Sequence, residues 1–329
     1  MWKYTVRRLL LIIPTLLLLG TILFFMLRVL PGDEALFITS GEESVASIED
    51  IEALREAWGL NDPLYVQYGR WLWDIFEPVK HGDWLWLPKF DLGYSRYADR
   101  PVVDALASKI EVTATLAFLS VVVALAWSLP LGIISALWRG SWIDQTIRVI
   151  TAAGIAMPNF WVAILLLLFL VKFFNWIPPV QHVSIFDEPL TALKRLIFPA
   201  LVIGFRSAST ISRMTRSTML EVIGDDYIRT ARAKGLGPYV VTMRHALANA
   251  IIPVLTMAGL LVAALMDGAV IIERIFTLPG LGQQIVDATS ARDFVMVQGI
   301  VLILALFMMV WILIVDLLYA WIDPRIRYE

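Results

Sequence analysis

The sequence predicts an all-α polytopic membrane protein, and three observations carry that prediction. Hydrophobic residues make up 59% of the chain and charged ones only 17%, against about 25% charged in an ordinary soluble domain. The apolar residues fall in long runs rather than in alternating or heptad patterns. The basic residues concentrate in some of the segments between those runs and the acidic residues in others.

A spanning helix needs roughly 20 mostly apolar residues. Leu9–Leu27 meets that need, behind Lys3, Arg7 and Arg8. A cleaved signal peptide is the alternative, but the run is too long for one and no small-residue cleavage site follows in 28–34, so it reads as a retained helix. Val112–Leu137, Val149–Val171, Ala250–Ile272 and Phe294–Ile322 are further spans, and Leu196–Ile211, with Arg206 inside it, is a weaker sixth.

Charge sets the orientation. Residues 206–248 hold seven Lys/Arg (Arg206, Arg213, Arg216, Arg229, Arg232, Lys234, Arg244) and three acids, whereas residues 31–108 hold fifteen acids and six bases. Basic loops stay in the cytoplasm. Six spans with both termini inside and 31–108 outside follow. The organisation expected is 1–30 as N-terminal segment and first span, 31–108 as an extracytoplasmic subdomain, 109–322 as a five-helix core with a cytoplasmic loop at 213–250, and 323–329 as a cytoplasmic tail. Formal charge is −2, which gives nucleic acid no reason to bind, and thirteen tryptophans suit interfacial anchoring in lipid.

The outer segment shows two short amphipathic helices. Ser47-Ile48-Glu49-Asp50 resembles a capping box, Ile48, Ile51 and Leu54 recur at helical spacing, and Gly59 stands where a C-terminal cap belongs. Asp62-Pro63 opens the second, carrying Tyr65, Tyr68, Trp71, Leu72 and Ile75. Such a subdomain either lies over the membrane or a partner, or is a solvated cap. Glu77–Phe90 reads as an extra insertion.

Catalytic patterns are missing. His81, His182 and His245 lack zinc-type spacing, and there is no nucleophile elbow, His-Glu-x-x-His or phosphate-cradling Gly-x-x-x-x-Gly-Lys loop. The chain therefore reads as a non-enzyme without metal or cofactor of its own. Inside the spans stand separated charges instead: Asp267, Asp316, and Arg206 with Glu273 near a helix end. Gly259, Ala263 and Asp267 recur every four residues and share one helix face. That stripe lets Asp267 line a path or join helices as polar glue, whereas Asp316 and Arg206 suit snorkelling to an interface.

The strongest signal is the loop. Asp225 or Asp226 caps a helix over Tyr227–Lys234 that stops at Gly235, and Tyr239–Ala250 leads into the next span. A short, basic, capped helix between two spans is suited to press on a soluble domain; an ordinary positive-inside loop would explain its charge but not its caps.

Asp226-Tyr227-Ile228-Arg229-Thr230-Ala231-Arg232-Ala233-Lys234-Gly235, then Arg244-His245-Ala246-Leu247-Ala248-Asn249-Ala250 and Pro253, resembles the permease subunits of bacterial ATP-binding-cassette importers, specifically the oligopeptide/dipeptide/nickel permease family. Leu30-Pro31-Gly32-Asp33, Gly59 to Tyr68, Asp91 to Ser95, Met157 to Trp161, Arg213 to Ser217, Glu273-Arg274-Ile275-Phe276, Pro279 to Gly282 and Asp323-Pro324-Arg325 extend the resemblance over essentially the whole chain. In the general importer motif Glu-Ala-Ala precedes the glycine; here Arg229, Thr230 and Ala231 stand in those places.

The resemblance implies the type I importer fold and a multi-pass protein of the bacterial inner membrane. The partners it implies are a second, homologous permease, two cytoplasmic ATPases that bind ATP and Mg, and an extracytoplasmic substrate-binding protein. Asp226 to Gly235 would dock on one ATPase, and the span of Asp267 and its neighbours would line the path, with Asp267, Gly259, Ala263 and Arg206 as the candidate lining residues. Peptides are the passenger expected, with nickel chelates or oligosaccharides as alternatives. An ion-coupled secondary transporter using Asp267 is the alternative of a different class.

Overall fold

The computed structural model describes the backbone of residues 2–29, 48–76, 78–81, 85–88, 91–95, 97–179 and 184–322, and the side chains of these except 2–3, 78–81, 85–88, 262–267 and 318–322. Helices dominate. They are α1 (Trp2–Val29), α2 (Ile48–Ala57), α3 (Leu64–Phe76), α4 (Val102–Leu137), α5 (Trp142–Ala156), α6 (Asn159–Phe174), α7 (Pro189–Ile223) and α8 (Asp226–Ala233). After α8 come a turn of helix at Pro238–Val240, a π-helical stretch at Val241–Ala246, and then α9 (Leu247–Ile275), α10 (Leu281–Ser290) and α11 (Phe294–Ile322). Between α3 and α4 lie two antiparallel pairs of short strands, Pro78–His81 with Leu85–Pro88 and Tyr94–Ser95 with Arg100–Pro101. The 77–90 insertion thus contains a hairpin, which the helical pattern had not indicated.

Among the described residues, four helical stretches are long and apolar enough to cross a membrane: Tyr4–Val29, Val102–Leu137, Pro238–Leu261 and Phe294–Leu317. A fifth is the pair α5–α6, if counted as one span. The continuous span expected over Val149–Val171 is corrected here, because its two halves meet at 107°. Met157 is extended (φ −80°, ψ 130°), as the ring of a following proline demands, and Pro158 then occupies the N-cap of α6. Helix α7, the expected fourth span, runs 35 residues but carries Lys194, Arg195, Arg206, Arg213, Arg216 and Glu221 and falls outside the apolar set.

The chain divides into two compact units. One comprises Met1–Arg7, Glu111–Gln283 and Met308–Glu329. Its interior is apolar and closely packed: Leu116, Ala163, Ala200, Ile203, Ile272, Phe276 and Leu278 form one cluster, and Ala124, Ala208, Ile211 and Val254 another. Residues such as Leu168, Phe173 and Leu260 are exposed around it, the apolar outer surface that lipid accepts. Near the chain ends the Tyr4 hydroxyl donates to the Asp316 carboxylate at 2.7 Å, so Asp316 has a polar partner within this unit.

The other unit comprises Arg8–Ile110 and Gln284–Phe307. The two expected amphipathic helices are present as α2 and α3, with Gly59 at φ +65° closing the first. The aromatic face of α3 lies on α1: Phe24 meets Tyr68 at 5.3 Å and Trp71 at 5.6 Å between ring centroids. Thr21 Oγ1 and the Tyr68 hydroxyl are 2.8 Å apart, and Arg28 Nε donates to Gln67 Oε1 at 3.0 Å. Gln67 Nε2 in turn donates to the Leu60 and Asp62 carbonyls, tying the turn between α2 and α3 to the same point. Of the stripe read from the sequence, Tyr68 and Trp71 pack on the first helix, while Tyr65 is exposed.

Candidate functional site

Helix α8 has two faces because its period puts Ile228 and Ala231 on one side and Arg229, Thr230 and Arg232 on the other. Ile228 is fully buried and Ala231 is 7% exposed, on a floor of Ile133, Ala136, Met219, Val241, Ala246 and Ala250. Asp226, Tyr227, Arg229, Thr230, Arg232, Ala233, Lys234 and Gly235 are exposed. The helix ends as expected at Gly235, whose φ of +81° is the left-handed conformation that glycine adopts without strain. Gly235 N–H reaches the Arg232 carbonyl at 2.9 Å. The start differs from the expectation in detail: Asp225 holds the N-cap position without a side-chain cap bond, and Asp226 forms an exposed ion pair with Arg229 at 3.3 Å.

Tyr227 fastens α8 to the helix that follows. Its hydroxyl donates to the His245 carbonyl at 3.3 Å and accepts from Asn249 Nδ2 at 2.7 Å. Beyond Gly235, Leu236, Tyr239, Val240 and Met243 are all exposed. The segment therefore turns outward two cations of α8, Arg229 and Arg232, with Lys234 at its C-cap, followed by the exposed apolar residues, on a buried seat.

Two polar joints in the same unit were not assembled by sequence reasoning. In the first, Asp144, 1% exposed, receives Arg216 Nε and Nη2 in a two-pronged pair, both at 2.8 Å. Ser135 Oγ and Gly140 N–H complete the carboxylate. The pair fixes α7 to the turn between α4 and α5. In the second, buried Glu273 at the end of α9 accepts from Thr113 Oγ1 at 2.7 Å and from Gln283 N–H at 3.0 Å, while Thr113 Oγ1 accepts from Leu281 N–H. A Cβ on Gly280 would run into the Glu273 carboxylate, and one on Gly282 would meet the Val270 backbone at 2.5 Å. The Glu273 and Pro279–Gly282 segments are one latch, its glycines needed for close approach.

Of the four residues expected to line a path, Arg206 alone among the described side chains lies at a cavity. That cavity, of about 380 Å³, sits at the break between α5 and α6 and is lined by Asn159, Phe160, Arg206, Leu261, Gly268 and Ile271 among others. At Gly259 a Cβ would clash with Val315, so its smallness admits α11. Ala263 and Asp267 belong to α9, but their side chains lie outside the described residues. Among the described residues no cluster of His, Asp or Glu could hold a metal.

Long apolar helices and a bent helix pair beside a cavity are the architecture of a multi-pass membrane protein. The chain matches the family model of the binding-protein-dependent transport system inner membrane component over residues 128–328, and that family's N-terminal membrane-component model over residues 1–117. It belongs to this family, and is the non-catalytic, multi-pass inner-membrane permease subunit of an ABC importer, working with a separate ATPase and a substrate-binding protein.

It is 38% identical over 317 residues to a putative peptide transport system permease protein of Brucella abortus, covering 96% of each chain. It is 36% identical over 329 residues to a glutathione transport system permease protein of Escherichia coli K12, covering 100% of both. The methionine ABC transporter MetNI in its inward-facing conformation shares the fold, with a TM-score of 0.52 at 17% identity over 67% of this chain and 97% of that one.

Proposed function

We propose that this chain is one of two paired permeases of a peptide importer, and that α8 is the part through which a cytoplasmic ATPase moves it. The observation that carries this reading is the two-faced seat of α8: Ile228 and Ala231 locked in a buried cluster, with Arg229, Thr230 and Arg232 turned outward. A helix held so stiffly transmits a push to the helices beneath it rather than absorbing it. The peptide as passenger is supported by the two permease relatives, one named for peptide and one for glutathione transport.

In this reading there are six spans with both termini in the cytoplasm, α7 being the polar fourth one, and two ATPases hold ATP and Mg outside this chain. Nucleotide binding draws the ATPases together, α8 follows, and the bundle shifts between inward- and outward-open populations; no side chain here performs chemistry. An external binding protein delivers the peptide.

The test is ATP-driven uptake by the reconstituted complex. Ala231→Trp forces a large ring into a filled site, an overpacking that disfavours the seat by about 1–3 kcal/mol, and should abolish uptake while the permease pair still assembles. Arg232→Glu should weaken ATPase capture in a salt-dependent way. Normal capture and normal uptake by both variants would refute the assignment of α8.

A further inference from the structure

We infer that the cavity at the break between α5 and α6 is a subsite for the carboxylate of the passenger, with the Arg206 guanidinium as its counter-ion. This rests on the permease reading above and adds the sign and shape of what the path recognises.

Three observations lead there. Arg206 is exposed to the cavity and, among the described residues, forms no ion pair. It follows ten residues, Leu196–Phe205, that carry no charge, so its Cα stands about 16.5 Å of helix rise beyond the last preceding cation, Arg195. Secondly, the polar side chains beside it are the Asn159 amide and the Ser207 and Thr210 hydroxyls, and no carboxylate is among the described lining residues. A donor-rich pocket with a planar two-pronged cation fits a carboxylate. Its other walls, Phe160, Ile203, Leu261 and Ile271, suit an apolar side chain attached next to that charge.

The third observation is independent. Arg213 stands seven residues after Arg206, two turns along the same face of α7, and lines a second cavity of about 480 Å³ with Arg148, Gln145 and Thr151. Cations thus succeed one another along α7. A passenger that presents an anion finds a next contact as it leaves the first. The C-terminal residue of a short peptide has this chemistry, a carboxylate joined to a side chain of variable, often apolar, character.

The rival account is that Arg206 neutralises Asp267, which precedes the lining residue Gly268 in α9. Both accounts are separated with the complete importer in proteoliposomes, its binding protein saturated in turn with trialanine and with trialanine amide. Wild type should take up the free acid about tenfold faster than the amide, the lower end of what one charge-assisted hydrogen bond contributes.

Arg206→Gln should bring the ratio of acid to amide uptake from about ten down to about one; Arg206→Lys should keep much of the preference. The inference is overturned if wild type shows no preference, if Arg206→Gln lowers both passengers alike, or if Asp267→Asn restores the acid uptake that Arg206→Gln lost. Wild type that takes up neither peptide with ATP refutes the peptide-importer reading itself, a different result from the other three.

Discussion

Replacing Arg216 by Met, which keeps the stem and removes the guanidinium, isolates the joint between α7 and the α4–α5 turn. Asp144 is 1% exposed and receives two of its donors from Arg216 at 2.8 Å. Without them the carboxylate keeps Ser135 Oγ and Gly140 N–H but has no positive charge to balance it. Breaking one side of a buried pair in this way destabilises by about 3–5 kcal/mol. Arg216 keeps 23% of its side chain exposed, so the lower end, about 3 kcal/mol, is the value to expect.

The partner change Asp144→Leu leaves a half-buried guanidinium unpaired and should be comparably harmful. The double variant removes both charges together. It should recover most of the loss, because the isolated charge and not the lost attraction dominates each single change. Denaturant unfolding of the purified permease pair in detergent, run as a double-mutant cycle, measures this. Losses that simply add in the double variant, or a single loss below about 1 kcal/mol, would show that the joint is not the anchor its geometry describes.

Four shorter predictions follow from other contacts. Gly282→Val should disrupt the Glu273 latch, since the Val270 backbone 2.5 Å from a new Cβ cannot yield; increased proteolysis at 277–283 checks it. Trp71→Ala should detach α3 from Phe24 of α1, with a loss of about 1.5–3 kcal/mol for one large apolar side chain, read as faster amide exchange in 64–76. Pro158→Ala frees Met157 to turn helical, and spin labels on α5 and α6 should then report a broader distance distribution than the wild type's 107° bend gives. Gly235→Val places a β-branched residue at φ +81° and should lower ATPase capture, with a loss of detergent stability no larger than the backbone strain of about 1–3 kcal/mol.

Which of these features could be read in the sequence follows from their range. Gly235 and Gly59 are local stops, each decided by one residue's left-handed backbone, and both were legible from the residue alone. The amphipathic stripe of α3 was legible as a pattern, but its contact with Phe24, more than forty residues earlier in the chain, was not. Asp144 and Arg216 stand 72 residues apart; nothing in either neighbourhood announces the other. Glu273 was visible as a charge near a helix end, and the glycines after it as a motif, yet only the fold shows the carboxylate gripping that backbone.

The break at Met157–Pro158 is the instructive case, because its cause was in plain sight. Averaged hydropathy across 149–171 is blind to it, and a proline inside an apolar run is ambiguous in itself: Pro14, Pro130, Pro199 and Pro253 all lie within helices that continue. What differs at Pro158 is that Met157 takes the extended conformation a following proline favours. The helix then restarts at Asn159 with its axis turned.

A turned axis leaves space where a straight helix would have closed it, and that space is where Arg206 of α7 is exposed. The same geometry explains why α7 need not be apolar along its length. A helix facing lipid on all sides could not carry Arg206 and Arg213 two turns apart, whereas one that lines a wet path can. Under the proposed reading, in which α7 is the fourth span, its weak hydropathy is a consequence of its position, and its polarity marks the side along which a passenger would move.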